Sequence, residues 1–275
     1  MRDLLITPLG YQFFQRALVA GMLIGALCGA MSVPVTLRRM SYIGHGLAHS
    51  VIGGVAVGVA LGVNLYIGAI LATVVAALLI DRVSRTPGVH IDAAIGIVTT
   101  AAFAFGIVML AIVPSRINIE AVLFGNLLGV TQTDLLLATS ITSITAVLLF
   151  TGYKKGIFTI FDEDVARAHG VNTNLVVLTL NLLTAAVVVA SVRVLGALLI
   201  AAAVVLPAAT ARLATRTFAT FALAAIGIGI VTALIGLYGS FHLDVPSGPA
   251  VVLAGTALFS IAYLARNNRA RTRSA

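Results

Sequence analysis

The chain has 275 residues, of which 60% are hydrophobic and 9% are charged, whereas soluble domains usually carry about 25% charged residues. So few charges cannot cover a water-facing surface. This excludes a soluble domain and, with a mean hydropathy of +1.11, predicts a polytopic, all-α membrane protein. The net charge of +8 does not indicate nucleic acid as a partner, because the basic residues lie in short clusters between apolar runs, as they do in cytoplasmic loops.

Apolar runs of membrane-crossing length follow one another along the whole chain, so residues 1–275 are predicted to form a single transmembrane domain. A helix needs about 20 residues to cross the hydrocarbon core, and the second run is long enough to hold two helices that turn near Asn64. Eight or nine spans are therefore expected. The segment before the first run lacks a convincing signal-peptide cleavage region, so this run is expected to remain as a membrane helix. The runs cover approximately residues 17–37, 46–80, 93–113, 133–152, 174–192, 194–211, 217–237 and 249–265.

The basic residues orient the chain in the membrane. Four arginines follow the last run, in a basic tail at 266–275 that is expected to stay in the cytoplasm. Counting spans backward from this tail places 81–92 and 153–173 inside the cell, and 114–132 and 238–249 outside. The N-terminus then lies outside if the long second run crosses twice, and inside if it crosses once.

The stretch "RRMSYIGHGLAHSVIGGVAVGVALG", at 38–62, places two histidines in an apolar, glycine-rich run. His45 and His49 lie one helical turn apart and therefore share a face of the predicted helix. Neutral imidazole is a common ligand for zinc and other divalent metals, and ionisable residues at membrane depth are costly and usually functional. The pair predicts a metal site, with helix capping or a polar contact between helices as the alternative for each ring. A row of small residues beside the pair predicts close approach of another helix: Gly46, Ser50, Gly54, Gly58 and Gly62.

Two further features carry candidate metal ligands. The stretch "FHLDVPSGP", at 241–249, contains His242 and Asp244 just before the last predicted helix, and it is either a metal-facing mouth or an ordinary turn-rich loop. Asp92 and Asp134 begin apolar runs, where a carboxylate complements the helix dipole. Capping is the expected role of Asp134, whereas Asp92 is a candidate for both capping and metal binding.

The segment "KKGIFTIFDEDVARAHGVNTN", at 154–174, holds three of the nine acidic residues of the chain. It is predicted to form a short amphipathic helix on the cytoplasmic side, with the acids at 162–164 at its start and Gly170 at its end. Small residues such as Ala166 would let a partner approach closely. The segment is either a docking helix for a cytoplasmic ATPase or a solvated loop. The residues expected to couple the chain to such an ATPase are Phe161, Asp162, Glu163, Ala166 and Gly170.

Two kinds of chemistry are not expected from this chain. The nucleotide-binding pattern GxxxxGK[ST] does not occur in the sequence, so ATP, if it is used, is hydrolysed on another subunit. Cys28 is the only cysteine and lies in an apolar run, so neither a disulfide nor a cysteine metal cluster is expected within one chain.

Six stretches, in a fixed order from about residue 35 to 255, are similar to motifs of one family of membrane proteins. "RRMSYIGHGLAHSVIGGVAVG" resembles a basic-aromatic stretch that leads into a helix with "LSHA" or "LAHA", and "FDEDVARAHGV" resembles a segment of the "FDPEFARALGV" type. The others are "IDAAIGIVTTAAFAFGIVML", "LFGNLLGVT", "VRVLGALLIAAAVVLPAATARLAT" and "LDVPSGPAVVL". On these motifs the chain resembles the permease subunits of ABC importers for zinc and manganese.

This resemblance implies a type II-like permease in the bacterial plasma membrane, without covalent chemistry or a permanently bound cofactor of its own. In that family two permease copies form a pore, a pair of cytoplasmic ATPases binds beneath it, and an extracytoplasmic protein delivers the metal. His49 matches the family's histidine, whereas aspartate is usual at the position of His45 and common at that of Asn126. A nitrogen ligand in place of a hard oxygen favours zinc over manganese, so zinc is expected first and manganese or iron second.

Three other functions are compared with this interpretation. A permease for siderophores or cobalamin has a related architecture but would need a wide polar cavity and not clustered histidines. A secondary transporter driven by protons or sodium would need carboxylates within the membrane, and the chain offers few besides Asp92. A purely structural membrane protein would not need the ordered motifs.

Overall fold

The computed structural model of the chain describes residues 7–112, 123–125, 129–197 and 199–274. Within these ranges the chain forms a short 3₁₀ helix at Thr7–Gly10 and eleven α-helices. The α-helices are α1 (Gln12–Leu37), α2 (Ile43–Ala60), α3 (Leu65–Ser84), α4 (Ile91–Ile112), α5 (Gln132–Thr151), α6 (Tyr153–Phe161), α7 (Glu163–Ala168), α8 (Thr173–Leu195), α9 (Ile200–Ala214), α10 (Phe218–Leu243) and α11 (Ser247–Ser274).

Eight of these helices, all except α6, α7 and α9, are long and apolar enough to cross a membrane. The all-α, polytopic fold predicted from composition is therefore confirmed. The long second run does contain two helices, because α2 ends at Ala60 and α3 begins at Leu65. The side chain of Asn64 caps α3 by accepting a hydrogen bond of 2.9 Å from the backbone N–H of Tyr66, which explains the turn at this position.

Two predicted boundaries were wrong. The run at 194–211 was expected to cross the membrane, but α8 continues to Leu195, the chain turns at Gly196 with a φ of +83°, and α9 has only 15 residues. At 1.5 Å per residue α9 spans about 22 Å, less than the hydrocarbon core. The segment at 238–249 was expected to be a loop, yet most of it is helical, and a short break around Asp244 separates α10 from α11.

The helices pack closely through small residues. Gly25 of α1 lies against the backbone of Gly229 of α10, and Gly54 of α2 lies against Gly68 of α3. Side chains between helices would hold these backbones apart, so glycine is required at each contact. The predicted small-residue ridge on α2 is confirmed as a packing surface at Gly46, which meets α4 at Thr99, and at Gly54, whereas Gly62 lies beyond the helix with nothing within 4 Å of an added Cβ.

These contacts fix the direction of each helix. Phe14, near the start of α1, packs edge-on against Phe241, near the end of α10, so the two helices are antiparallel. Gly46 faces the early part of α4 and Gly53 faces Ala102 further along it, so α2 and α4 are parallel. The N-terminus of α1 therefore lies at the end of the bundle opposite to α6 and α7. The second run thus holds two helices, as predicted, whereas an external N-terminus stays a prediction.

The contact between α1 and α10 predicts a clear difference between two glycines of α10. Replacing Gly229 with alanine should lower stability by about 1–3 kcal/mol, because the added Cβ meets the backbone carbonyl of Gly25. Gly227→Ala is the matched control, since nothing lies within 4 Å of its added Cβ. Thermal unfolding of the detergent-purified proteins measures the difference, and equal unfolding temperatures for the two variants would contradict this packing.

Candidate functional site

The two histidines of α2 occupy the side of the helix that its glycines leave free. Gly44 packs against α9, Gly46 against α4, and Gly54 against α3. At 100° per residue, His45 and His49 lie on the remaining side, between the directions of α9 and α4. Both side chains are half-buried. The glycines that hold α2 in place thus also aim the imidazoles into the gap between two other helices.

The two imidazoles converge on one point. Nε2 of His45 and Nε2 of His49 are 3.0 Å apart, and the ring planes stand at 81° to each other. The ring of Phe103 on α4 packs against His49 with centroids 4.7 Å apart, which holds that ring in place. Two nitrogens that bind one tetrahedral zinc ion at 2.0–2.1 Å are about 3.3 Å apart. A small separation of the rings would therefore let the pair bind one metal ion.

The pair supplies only part of a coordination shell. Among the described residues, no three His, Cys, Asp or Glu side chains are grouped closely enough to hold a metal ion. His45 and His49 could therefore supply two ligands to a metal ion, with the other positions open to water or to a ligand from another chain. A site with so few protein ligands would bind an ion weakly enough to release it.

The other predicted metal ligands do not join the pair. Asp92 is exposed in the first turn of α4. His242 lies in the last turn of α10, and Asp244 follows it as the C-cap with a φ of 52°. Because α10 is antiparallel to α1, both lie at the end of the bundle opposite to the α1–α2 corner and far from the histidine pair. The structure thus keeps His242 and Asp244 apart from the histidine pair, so a single site formed by these four described residues is not present in this arrangement.

Asp134 has the capping role that was predicted for it, together with a contact that was not predicted. It forms a capping box with Thr131 at the start of α5 and is 7% exposed. The hydroxyl of Tyr66, at the start of α3, donates a hydrogen bond to the same carboxylate. Asp134 therefore ties two helices together at the end of the bundle opposite to α6 and α7. Asn126, where the related family often has aspartate, lies outside the described residues.

The predicted docking segment has the expected local structure, divided differently. Instead of one helix, the chain forms α6 and α7, separated at Asp162, whose side chain accepts a hydrogen bond of 2.9 Å from the backbone N–H of Val165. Glu163 forms an ion pair of 2.8 Å with Arg167 on the same short helix. Gly170, with a φ of +78°, follows α7 in the left-handed conformation that glycine tolerates. The prediction that acidic residues begin the helix of this segment and that Gly170 ends it is thus confirmed.

Ala166 does not lie where a docking partner would touch it. Its side chain is fully buried within the chain, whereas Phe161 is 65% exposed and Val165 is 41% exposed. The expectation that Ala166 itself offers a small docking face is therefore corrected. Its small size lets α7 pack on its own chain, and the outward surface of the segment comes from its neighbours.

The sequence analysis missed the contact between Arg38 and Asn181. Nη1 of Arg38, just after α1, donates a hydrogen bond of 3.1 Å to Oδ1 of Asn181 on α8. Asn181 is 1% exposed and lies more than two turns into α8. A lone asparagine within an apolar run was the available signal, since a buried amide requires a partner.

Comparison with known proteins identifies the scaffold that carries these groups. The model of the ABC 3 transport family matches residues 10–266. The manganese transport system membrane protein MntC of Halalkalibacterium halodurans is 34% identical over 256 residues, which cover 93% of this chain and 88% of that protein. A probable iron transport system membrane protein of Haemophilus influenzae is 34% identical over 264 residues, covering 96% of this chain and 94% of that protein.

A solved structure agrees with these relatives. In PsaBC from Streptococcus pneumoniae in complex with Fab, one chain is 29% identical to this one, with a TM-score of 0.85. The match covers 95% of this chain and 94% of that chain. The resemblance inferred from the six motifs is therefore confirmed. This multi-pass protein of the bacterial plasma membrane belongs to the ABC 3 transport family.

Proposed function

We propose that this chain is the membrane-spanning subunit of an ATP-driven importer of divalent transition-metal ions. The observation that carries the proposal is the convergence of Nε2 of His45 and Nε2 of His49 at 3.0 Å within a membrane-crossing helix. Imidazole nitrogens suit zinc, manganese and iron in different degrees, and relatives of this chain are named for manganese and iron transport. Two nitrogen ligands in this chain favour zinc as the preferred ion.

The remaining parts of the importer are supplied by other chains. The sequence has no GxxxxGK[ST] motif, so ATP is hydrolysed on a separate pair of ATPase subunits that dock on α6 and α7. A second copy of this chain completes the pore, and an extracytoplasmic binding protein delivers the metal ion to the end of the bundle that carries His242 and Asp244. The ion then passes to the histidine pair, and alternating access carries it to the α6–α7 end.

A first prediction concerns the histidine pair. Replacing both His45 and His49 with alanine should remove metal binding at this site and abolish uptake, because no third ligand is grouped with them among the described residues. Replacing His90, an exposed histidine outside the proposed path and outside the docking segment, with alanine is the control and should leave metal binding and uptake unchanged. Equilibrium binding of zinc or manganese and uptake into proteoliposomes containing the complete transporter measure the outcome. Wild-type uptake by the double variant would contradict the site.

A second prediction concerns selectivity. His45→Asp, which restores the residue usual in the related family, should shift preference from zinc toward manganese by roughly tenfold, or about 1.4 kcal/mol of relative binding free energy. Competitive uptake of the two metals gives the ratio directly. His90→Asp, at an exposed position outside the proposed path, serves as the control. An unchanged zinc-to-manganese ratio in His45→Asp would show that position 45 does not touch the ion.

A third prediction concerns the docking segment. Phe161→Asp and Val165→Asp should weaken association with the ATPase and reduce metal-stimulated hydrolysis, because both side chains face outward from α6 and α7. Ala166→Trp should instead lower the thermal stability of the permease, since its site is fully buried. Leu175→Asp, exposed at the start of α8, is the control outside the segment. Normal co-purification and hydrolysis in the first two variants would assign docking to another surface.

A further inference from the structure

Arg38 occupies the corner between the helix that begins the bundle and the helix that carries the histidines. It follows α1 directly and stands seven residues before His45. The corner is compact: the backbone N–H of Met40 bonds to the carbonyl of Val35 at 3.0 Å, and Arg39 adopts a φ of 57°. Because no flexible loop separates Arg38 from α2, a displacement of Arg38 would also move the start of α2.

The guanidinium of Arg38 is held by groups from other elements. Its hydrogen bond to the buried amide of Asn181 joins the corner to α8. Burial lowers the pKa of Arg38, and the negative charges of Glu163 on α7 and Asp81 on α3 act in the opposite direction. A guanidinium remains charged in proteins, so Arg38 places a cation near acidic residues of both α7 and α3.

α8 connects the docking segment to this corner through a row of polar side chains. Arg167 of α7 contacts the hydroxyl of Thr173 at 3.4 Å, at the first residue of α8. Asn181 follows Asn174 by seven residues, about two turns of α8, so the two side chains lie on the same face of the helix. Asn174 accepts a hydrogen bond from Arg85, which follows α3. α8 is therefore linked at one end to α7 and along one face to both neighbours of α2.

We propose that Arg38 is a positioning residue of the transport cycle, which transmits movement of the docking segment through α8 and Asn181 to the helix bearing His45 and His49. The proposal rests on the proposed function, since it assigns to that function the route between ATPase and metal site. The residue acts through α2 and does not touch the transported ion.

The test uses the complete transporter, purified with its ATPase and reconstituted in proteoliposomes. Arg38→Met and Asn181→Leu should each reduce the stimulation of ATP hydrolysis by zinc by about tenfold, the scale of a lost hydrogen bond to a charged group. Basal hydrolysis, association with the ATPase and equilibrium zinc binding should stay at wild-type levels, which a general loss of structure would not allow. The double variant should be no worse than either single one, because both remove the same link.

Two further variants complete the design. Arg39→Met removes the neighbouring, exposed cation and should retain wild-type stimulation. Arg38→Lys keeps the charge without the planar donor group and should recover part of the stimulation, which also provides a readout if Arg38→Met does not assemble. Wild-type stimulation in both Arg38→Met and Asn181→Leu would overturn the inference, with Arg38→Lys used in place of Arg38→Met if that variant does not assemble. A double variant whose loss of stimulation equals the product of the two single losses would also overturn it. Absence of zinc stimulation in the wild-type transporter would instead count against the proposed function.

Discussion

Backbone contact at glycine is the constraint on which the placement of the functional groups depends. Lipid tails are as apolar as leucine side chains, so helices in a membrane associate through close packing and not through the hydrophobic effect. In this chain that packing occurs where Gly54 meets Gly68 and where Gly25 meets Gly229. Since α3, α4 and α9 take up the glycine-lined sides of α2, the side with the imidazoles is the one left for a ligand.

Several polar side chains between the helices form pairs that join separate elements. Asn181 meets Arg38, and Asp134 accepts from Tyr66. An unpaired polar group in apolar surroundings costs several kcal/mol, so each such group needs a partner whose position the fold must guarantee. These pairs stabilise the bundle and also favour one arrangement of its helices over others. They also mark the residues through which one helix can report the movement of another.

Much of the fold follows from sequence pattern, and the limits of that pattern are physical. Apolar runs predicted the crossing helices because composition and length suffice for that purpose. The break between the runs 174–192 and 194–211 was predicted three residues before Gly196, but the shortness of α9 was not, because an apolar run does not show where within it a helix begins. The one-turn spacing of His45 and His49 predicted their convergence. That Asp244 lies far from them, and that Ala166 faces inward, depends on helix direction and packing, which local periodicity does not encode.

If the histidine pair binds a metal ion as proposed, its surroundings would keep that binding weak. At a separation of 3.0 Å, two neutral imidazoles form one hydrogen bond between their Nε2 atoms, in which one ring donates and the other accepts. A metal ion that took both Nε2 lone pairs would break this hydrogen bond and require each ring to carry its proton on Nδ1. Nδ1 of His49 is buried and makes no hydrogen bond within the described part of the chain. Metal-bound imidazoles usually donate this N–H to an acceptor, and loss of such a partner lowers affinity about 10–100-fold. Both costs weaken binding at the pair, which suits a station that an ion passes through.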